Sequence, residues 1–128
     1  ARNMIPYLNA LDNVKLVMQM ADKLDVNRAN MLLEIVGLEH RKKSKMHELS
    51  GGELQRFSIL RALNPKTKFI IADEISTMLD AVTQVQIWEA LINHCKANNI
   101  GILAVSHDKE LLDVFCDEIL YFDEVNNI

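Results

Sequence analysis

Three short strings in this chain combine residue types and spacings suited to chemistry on a phosphate. The first is Leu49-Ser50-Gly51-Gly52-Glu53-Leu54-Gln55-Arg56. Two adjacent glycines at a helix start leave backbone N–H groups uncovered by side chains, where the positive end of the helix dipole favours an anion, and the Ser50 hydroxyl adds a donor. The same residues also read as a capping box, in which Ser50 accepts from the Glu53 amide and Glu53 reaches back. The two readings are compatible, and a capping box by itself does not need two glycines. The second string, Phe69-Ile70-Ile71-Ala72-Asp73-Glu74, is an apolar run ending in two acids. If it is a strand of a parallel sheet, the acids sit at its C-terminal end, where ligand crevices open. Phosphoryl transfer needs one carboxylate to support Mg²⁺ and another group to position the attacking water, roles that Asp73 and Glu74 can divide. An acidic pair after a strand is also ordinary turn chemistry. The third string is Val105-Ser106-His107-Asp108, directly after another apolar run. His107 taken alone reads as an exposed residue at a helix start, and Asp80 as the N-cap of the helix that follows it.

The elements that must position these residues are legible from periodicity. Leu11, Val14, Val17, Met18, Ala21 and Leu24 recur every three or four positions and predict a helix over 11–24, capped at Asn9. A second helix follows Asp25, with Ala29, Leu32, Leu33 and Val36 on one side and Gly37 ending it, so the two form a helical hairpin. Residues 38–48 break the period, carry four Lys or Arg residues and read as a solvated connection. A third helix runs from Ser50 through Leu63 until Asn64-Pro65 stops it. The period then changes. The runs 68–72 and 100–105 predict strands buried on both faces, and 118–122 a third strand. Helices are predicted over 81–97, with Val82, Val85, Trp88, Leu91, Ile92 and Cys95 as the apolar stripe, and near 108–115. Strand, helix, strand, helix, strand predicts a parallel α/β sheet with right-handed crossovers.

Composition bounds the function. A chain of 128 residues, 49% hydrophobic and 25% charged with two prolines and four glycines, is globular rather than disordered. The longest stretch free of Asp, Glu, Lys and Arg, Ala97 to His107, is eleven residues, well short of the ~18 that a membrane-spanning helix needs. A net charge of −4 argues against nucleic-acid binding by phosphate neutralisation. Cys95 and Cys116 are too few for a disulfide framework and lack zinc spacing, which suits a reducing cytosol. The first dozen residues have neither a signal-peptide pattern nor an initiator Met, which predicts an internal start.

Taken together and in order, these strings resemble the ATP-binding cassette (ABC) family. LSGGE resembles its signature motif, FIIADE its Walker B strand with catalytic glutamate, Thr77-Met78-Leu79-Asp80 its D-loop, and Val105-Ser106-His107 its switch histidine. The resemblance extends across essentially the whole chain, including the segment that leads into the signature. It implies a P-loop NTPase fold with a helical subdomain at about 9–64 and part of the catalytic α/β core at about 65–128, all of 1–128 forming the C-terminal portion of a nucleotide-binding domain. It implies ATP and Mg²⁺ as cofactors. Asp73 would bind Mg²⁺ through water, Glu74 would polarise the attacking water, and His107 would contact the γ-phosphate. Ser50, Gly51, Gly52 and Glu53 would meet the nucleotide of a second nucleotide-binding domain, of the same or a different chain, and Asp80 would line that interface. Two positions depart from the pattern: Ile75 stands where proline is usual, and Met78 where a small residue is common.

None of the four glycines begins a GxxxxGK phosphate loop, so the Walker A motif is absent from these residues. The resemblance implies that the motif and the Q-loop lie upstream, and that the strand leading into the phosphate loop lies between the 100–105 and 118–122 strands. The implied function is the ATPase subunit of a transporter, cytoplasmic and held to the inner face of the cell membrane by permease subunits. Its cargo would be a small solute such as a peptide or metal complex, because the Asp73–Trp88 string is more similar to the peptide and nickel importer group. The alternatives are a soluble family ATPase in DNA repair, chromosome maintenance or translation, and a non-catalytic interaction module. Residues 1–48 show no sustained heptads of the coiled coil that repair and chromosome types place there. Retention of Glu74 and His107 speaks against a non-catalytic module.

Overall fold

The computed structural model describes residues 4–21 and 23–125. Helix α1 spans Ala10–Met20, capped by Asn9, whose side chain accepts from the Asp12 amide. It ends four residues before the predicted Leu24, and residue 22 lies outside the described residues. Asn13 is buried on α1 and ties the preceding segment to it: its Nδ2 donates to the carbonyls of Ile5, Leu8 and Asn9, and its Oδ1 accepts from the Ile5 amide. Helix α2, Val26–Ile35, is capped by Asp25 and ends as predicted at Gly37, whose φ of 68° is left-handed.

The connection after Gly37 is more ordered than its charge predicts. Short 3₁₀ turns form at Glu39–Arg41 and Met46–Glu48, and an isolated antiparallel bridge joins Asn9 to Lys45. Buried Leu38, Met46 and Leu49 anchor it to the core, so the basic side chains are solvated but the backbone is held. Helix α3, Gly51–Leu60, stops three residues short of Leu63, and single turns carry the chain to Asn64-Pro65.

Strand β1, Phe69–Asp73, and strand β2, Gly101–Val105, pair in parallel, Phe69 opposite Gly101 and Asp73 opposite Val105. Gly101 leaves room for the Phe69 ring, whose edge a Cβ at this position would approach to 2.7 Å. Helix α4, Ala81–Ala97, makes the crossover between them and matches the predicted span. Asn99 ends it with a φ of 57°, and the Ile100 amide donates to the Cys95 carbonyl. Helix α5, Lys109–Phe115, stacks Phe115 on Trp88 at 6.2 Å, and α6 spans Phe122–Val125.

Two strand expectations are corrected. The strands are covered on one face only: Ile70 and Ala72 are buried, whereas Phe69, Ile71, Leu103 and Val105 are 81%, 72%, 59% and 47% exposed. Residues 118–121 form no strand, because a strand exists only by pairing, and nothing among the described residues pairs with β2 beyond β1. On α4 the buried face is Ile87, Trp88, Leu91, His94 and Cys95, while Val82 and Val85 point outward. One apolar cluster runs from α1 and α2 through Phe57, Leu60 and Leu63 to Ile70, Trp88 and Leu91.

Candidate functional site

Strand β1 and the loop after β2 bring the acids and the histidine together. Asp73 is exposed at the C-terminal end of β1, and its carboxylate has no hydrogen-bond or ion-pair partner among the described residues. At Glu74 the chain turns with φ 50°, left-handed for a non-glycine residue, while its amide still donates to the Val105 carbonyl. Such a conformation costs on the order of 1–2 kcal/mol and persists only where surrounding bonds hold it. Here it aims the side chain across the sheet end. Oε1 of Glu74 accepts from the His107 amide at 3.0 Å and lies 2.7 Å from His107 Nδ1. An ionised carboxylate only accepts, so Nδ1 carries the proton and Nε2 is left facing outward on an exposed ring. Oε2 of Glu74 keeps its lone pairs for a further ligand.

Residues Ser50 to Glu53 form a second group at the start of α3. The capping box is real: Ser50 Oγ accepts from the Glu53 amide at 3.2 Å, and Glu53 Oε2 accepts from the Ser50 amide at 2.8 Å. The Ser50 hydroxyl proton is not used by that bond, and the amides of Gly51 and Gly52 lie in the first turn, where a helix supplies no partner. Glu53 is also gripped by Arg41, through Nε to Oε1 at 3.1 Å and Nη2 to Oε2 at 3.2 Å. The Ser50 backbone bond first, and the Arg41 guanidinium next, lower the Glu53 pKa to about 2. Glu53 is therefore a fixed anion that shapes the helix start.

The segment 77–80 lies between the two groups. The Met78 side chain rests on Gly51, where a Cβ would come within 2.6 Å of its Cε, and Leu79 lies against Gly52. The double glycine thus also serves close packing. Asp80 caps α4, accepting from the Thr83 amide at 3.0 Å and hydroxyl at 2.6 Å, and these Thr83 bonds lower its pKa. Ser76 is buried and accepts from Trp88 Nε1 at 3.0 Å and Gln84 Nε2 at 2.9 Å. Ile75, at the usual proline position, packs partly buried against the core.

Three residues that sequence patterns did not single out hold the site residues in place. Gln55 reaches from α3 to the loop after β1, Arg41 holds Glu53, and Ser76 fastens the same loop to α4. Arg41 stood among four basic residues with nothing to distinguish it, the partners of Gln55 lie 19 to 23 residues along the chain, and those of Ser76 lie 8 and 12 residues on, in the next helix.

The donor set fits the implied cofactors. Among the described residues no group of three or more His, Cys, Asp or Glu could hold a metal, which excludes an all-protein cage there. A single free carboxylate suits Mg²⁺, which retains waters and takes its other ligands from phosphates. The open Gly51–Gly52 backbone beside a hydroxyl suits a phosphate. A cavity of about 310 Å³ lies elsewhere, between α1 and α3, lined by Val14, Met18, Leu32 and Phe57 among others.

A parallel α/β sheet with acids at a strand end facing a histidine, beside a glycine-opened helix, defines an α/β domain whose exposed polar groups suit a phosphate ligand. The ABC transporter family model matches residues 1–77, and the chain belongs to that family. It is similar to the hemin import ATP-binding protein HrtA of Staphylococcus epidermidis, 36% identical over 99% of this chain and 59% of that protein. It is also similar to the lipoprotein-releasing system ATP-binding protein LolD of Hydrogenovibrio crunogenus, 40% identical over 84% of this chain and 48% of that protein. Among solved structures, the ATP-binding cassette MJ0796, a dimer in a post-hydrolysis state bound to ADP and Pi, superposes with a TM-score of 0.72. It is 31% identical, over 85% of this chain and 50% of that one. The chain therefore spans roughly half the length of the relatives it matches. These relatives are named for hemin and lipoprotein systems, whereas the Asp73–Trp88 string had pointed to peptide and nickel importers.

Proposed function

We propose that this chain supplies half of the chemistry of an ATP-hydrolysing transporter subunit. The observation that carries the reading is the Glu74–His107 pair at the end of β1, with Oε2 of Glu74 open and Asp73 beside it unpartnered. Glu74 polarises the attacking water, held in its strained turn by the Val105 and His107 bonds. His107 keeps Glu74 oriented through Nδ1 and offers Nε2 to the γ-phosphate. Asp73 would hold Mg²⁺ through water, and the ion would supply charge neutralisation for the transferred phosphate. Ser50, Gly51 and Gly52 donate to the nucleotide of a second nucleotide-binding domain, with Glu53 fixing their geometry and Asp80 lining the shared interface. The dimeric state of the MJ0796 cassette supports a composite site of this kind. Permease subunits grip the helical part formed by α1 to α3, which places the protein on the cytoplasmic face of a membrane. Its cargo belongs with the hemin or lipoprotein systems of its relatives rather than with a peptide or nickel complex.

The test uses the chain joined to a half that carries a phosphate loop. Glu74→Gln retains shape but loses basicity, so turnover should fall by at least ~10² while ATP still binds and nucleotide-trapped dimers accumulate. Asp73→Asn should instead weaken Mg²⁺-dependent binding, and Ser50→Arg should leave binding to each monomer intact yet block ATP-dependent dimerisation. Near-normal turnover of Glu74→Gln would overturn the assignment of this residue, and normal dimerisation of Ser50→Arg the composite site.

A further inference from the structure

The side chain of Gln55 spans the gap between the two groups of site residues. It sits on α3, one turn past the glycines, and touches the loop after β1 at three points. Oε1 accepts from the Met78 amide at 3.0 Å, and Nε2 lies 3.4 Å from both the Glu74 carbonyl and the Thr77 hydroxyl. Glu74 is the residue with the left-handed φ, so its conformation needs external support. On the far side, the same loop is fastened to α4 by Ser76, through Trp88 and Gln84. Gln55 therefore supplies, on the α3 side, what Ser76 supplies on the α4 side.

We propose that Gln55 is a positioning residue that locks the Glu74–Met78 loop to the start of α3. The chain's own water-activating carboxylate and the groups it offers to the opposite nucleotide then move as one body. Without that tether α3 can shift along the loop, and a nucleotide engaged by Ser50 to Gly52 no longer sets the position of Glu74. The proposal rests on the roles assigned above to Glu74 and Ser50, but the tether itself is testable without them.

The experiment compares Gln55→Leu and Gln55→Glu in the chain joined to its phosphate-loop half. Leucine removes all three contacts at similar size, whereas glutamate keeps an acceptor for the Met78 amide. Hydrogen exchange at that amide should quicken about tenfold in Gln55→Leu and stay near the original rate in Gln55→Glu. Emission of Trp88, the only tryptophan of this chain, should shift in Gln55→Leu if the loop moves; the joined half is chosen or altered to contain none. Per folded molecule, kcat should fall about tenfold in Gln55→Leu with KM for ATP within about twofold, and Gln55→Glu should recover part of the loss. Unchanged Met78 exchange together with unchanged kcat in Gln55→Leu would overturn the proposal. If Gln55→Leu does not fold, a Gln55→Glu variant with Met78 exchange quickened as for a free amide would overturn it equally. Glu74→Gln serves as the control: normal turnover there is a failure of the functional reading, whereas its loss beside a normal Gln55→Leu is a failure of the tether alone.

Discussion

Glu53 illustrates how much one charged residue can be asked to do at a helix start. It closes the capping box with Ser50 and takes two bonds from Arg41, and its pKa of about 2 lies below the ordinary 4.5. A carboxyl held low in the folded state adds stability that is complete above its ordinary pKa and is lost as pH falls toward the folded value. Glu53 should therefore stabilise the chain above about pH 4.5 and progressively less down to about pH 2. Thermal unfolding of the chain and of Glu53→Gln across that range checks it. The gap between their midpoints should narrow as the solution is acidified, and a gap independent of pH would contradict the charge argument.

Elements end where the backbone is made to turn, and α2 shows the requirement most plainly. Gly37 takes φ 68°, its amide donates to the Glu34 carbonyl, and the Leu38 amide returns to the Leu33 carbonyl. Arg56 of α3 reaches over to donate to the carbonyls of Val36 and Gly37, so the end of α2 is also a docking point for α3. A Cβ at position 37 would lie 2.9 Å from Arg56 Nη1. Gly37→Ala should thus cost about 1–2 kcal/mol from the left-handed backbone alone, with a further loss if the Arg56 bonds are displaced. Denaturant unfolding measures it. Gly37→Asn should be milder, since asparagine tolerates this conformation better than alanine does.

At the scale of the whole molecule the dominant feature is a two-stranded sheet with one bare apolar face. Phe69, Ile71, Leu103 and Val105 lie on it side by side, because parallel register places 69 opposite 101 and 71 opposite 103. Among the described residues nothing pairs with the outer edges of β1 and β2, which add open backbone groups. A surface of this kind seeks cover, and the chain by itself should self-associate. Light scattering should find species larger than a monomer, and Ile71→Lys with Leu103→Lys should reduce them. A monodisperse monomer with little hydrophobic-dye binding would show that the face is tolerated in water.

The sequence by itself determined whatever depends on neighbours a few residues away. Helices α1 to α5 followed from the 3.6-residue period, and ends of α1 to α4 from Asn9, Asp25, Gly37, Ser50 and Asp80, which cap or terminate as their chemistry requires, whereas α6 begins at Phe122, where the pattern predicted a strand. The strands were visible as the apolar runs 68–72 and 100–105, each within one residue of the observed bounds, and Asp73, Glu74 and His107 as polar residues following those runs. Which strand faces are covered was not legible, since Ile71 and Ile70 look alike until something packs on one and not the other. Nor was the absence of a strand at 118–122, because pairing needs a partner that local residues do not name. The Glu74–His107 bond joins residues 33 positions apart, and Gln55 meets Met78 across 23. Only the tertiary structure could decide those contacts. A side chain's type fixes what it can bond, whereas the packing of distant elements fixes what comes within its reach.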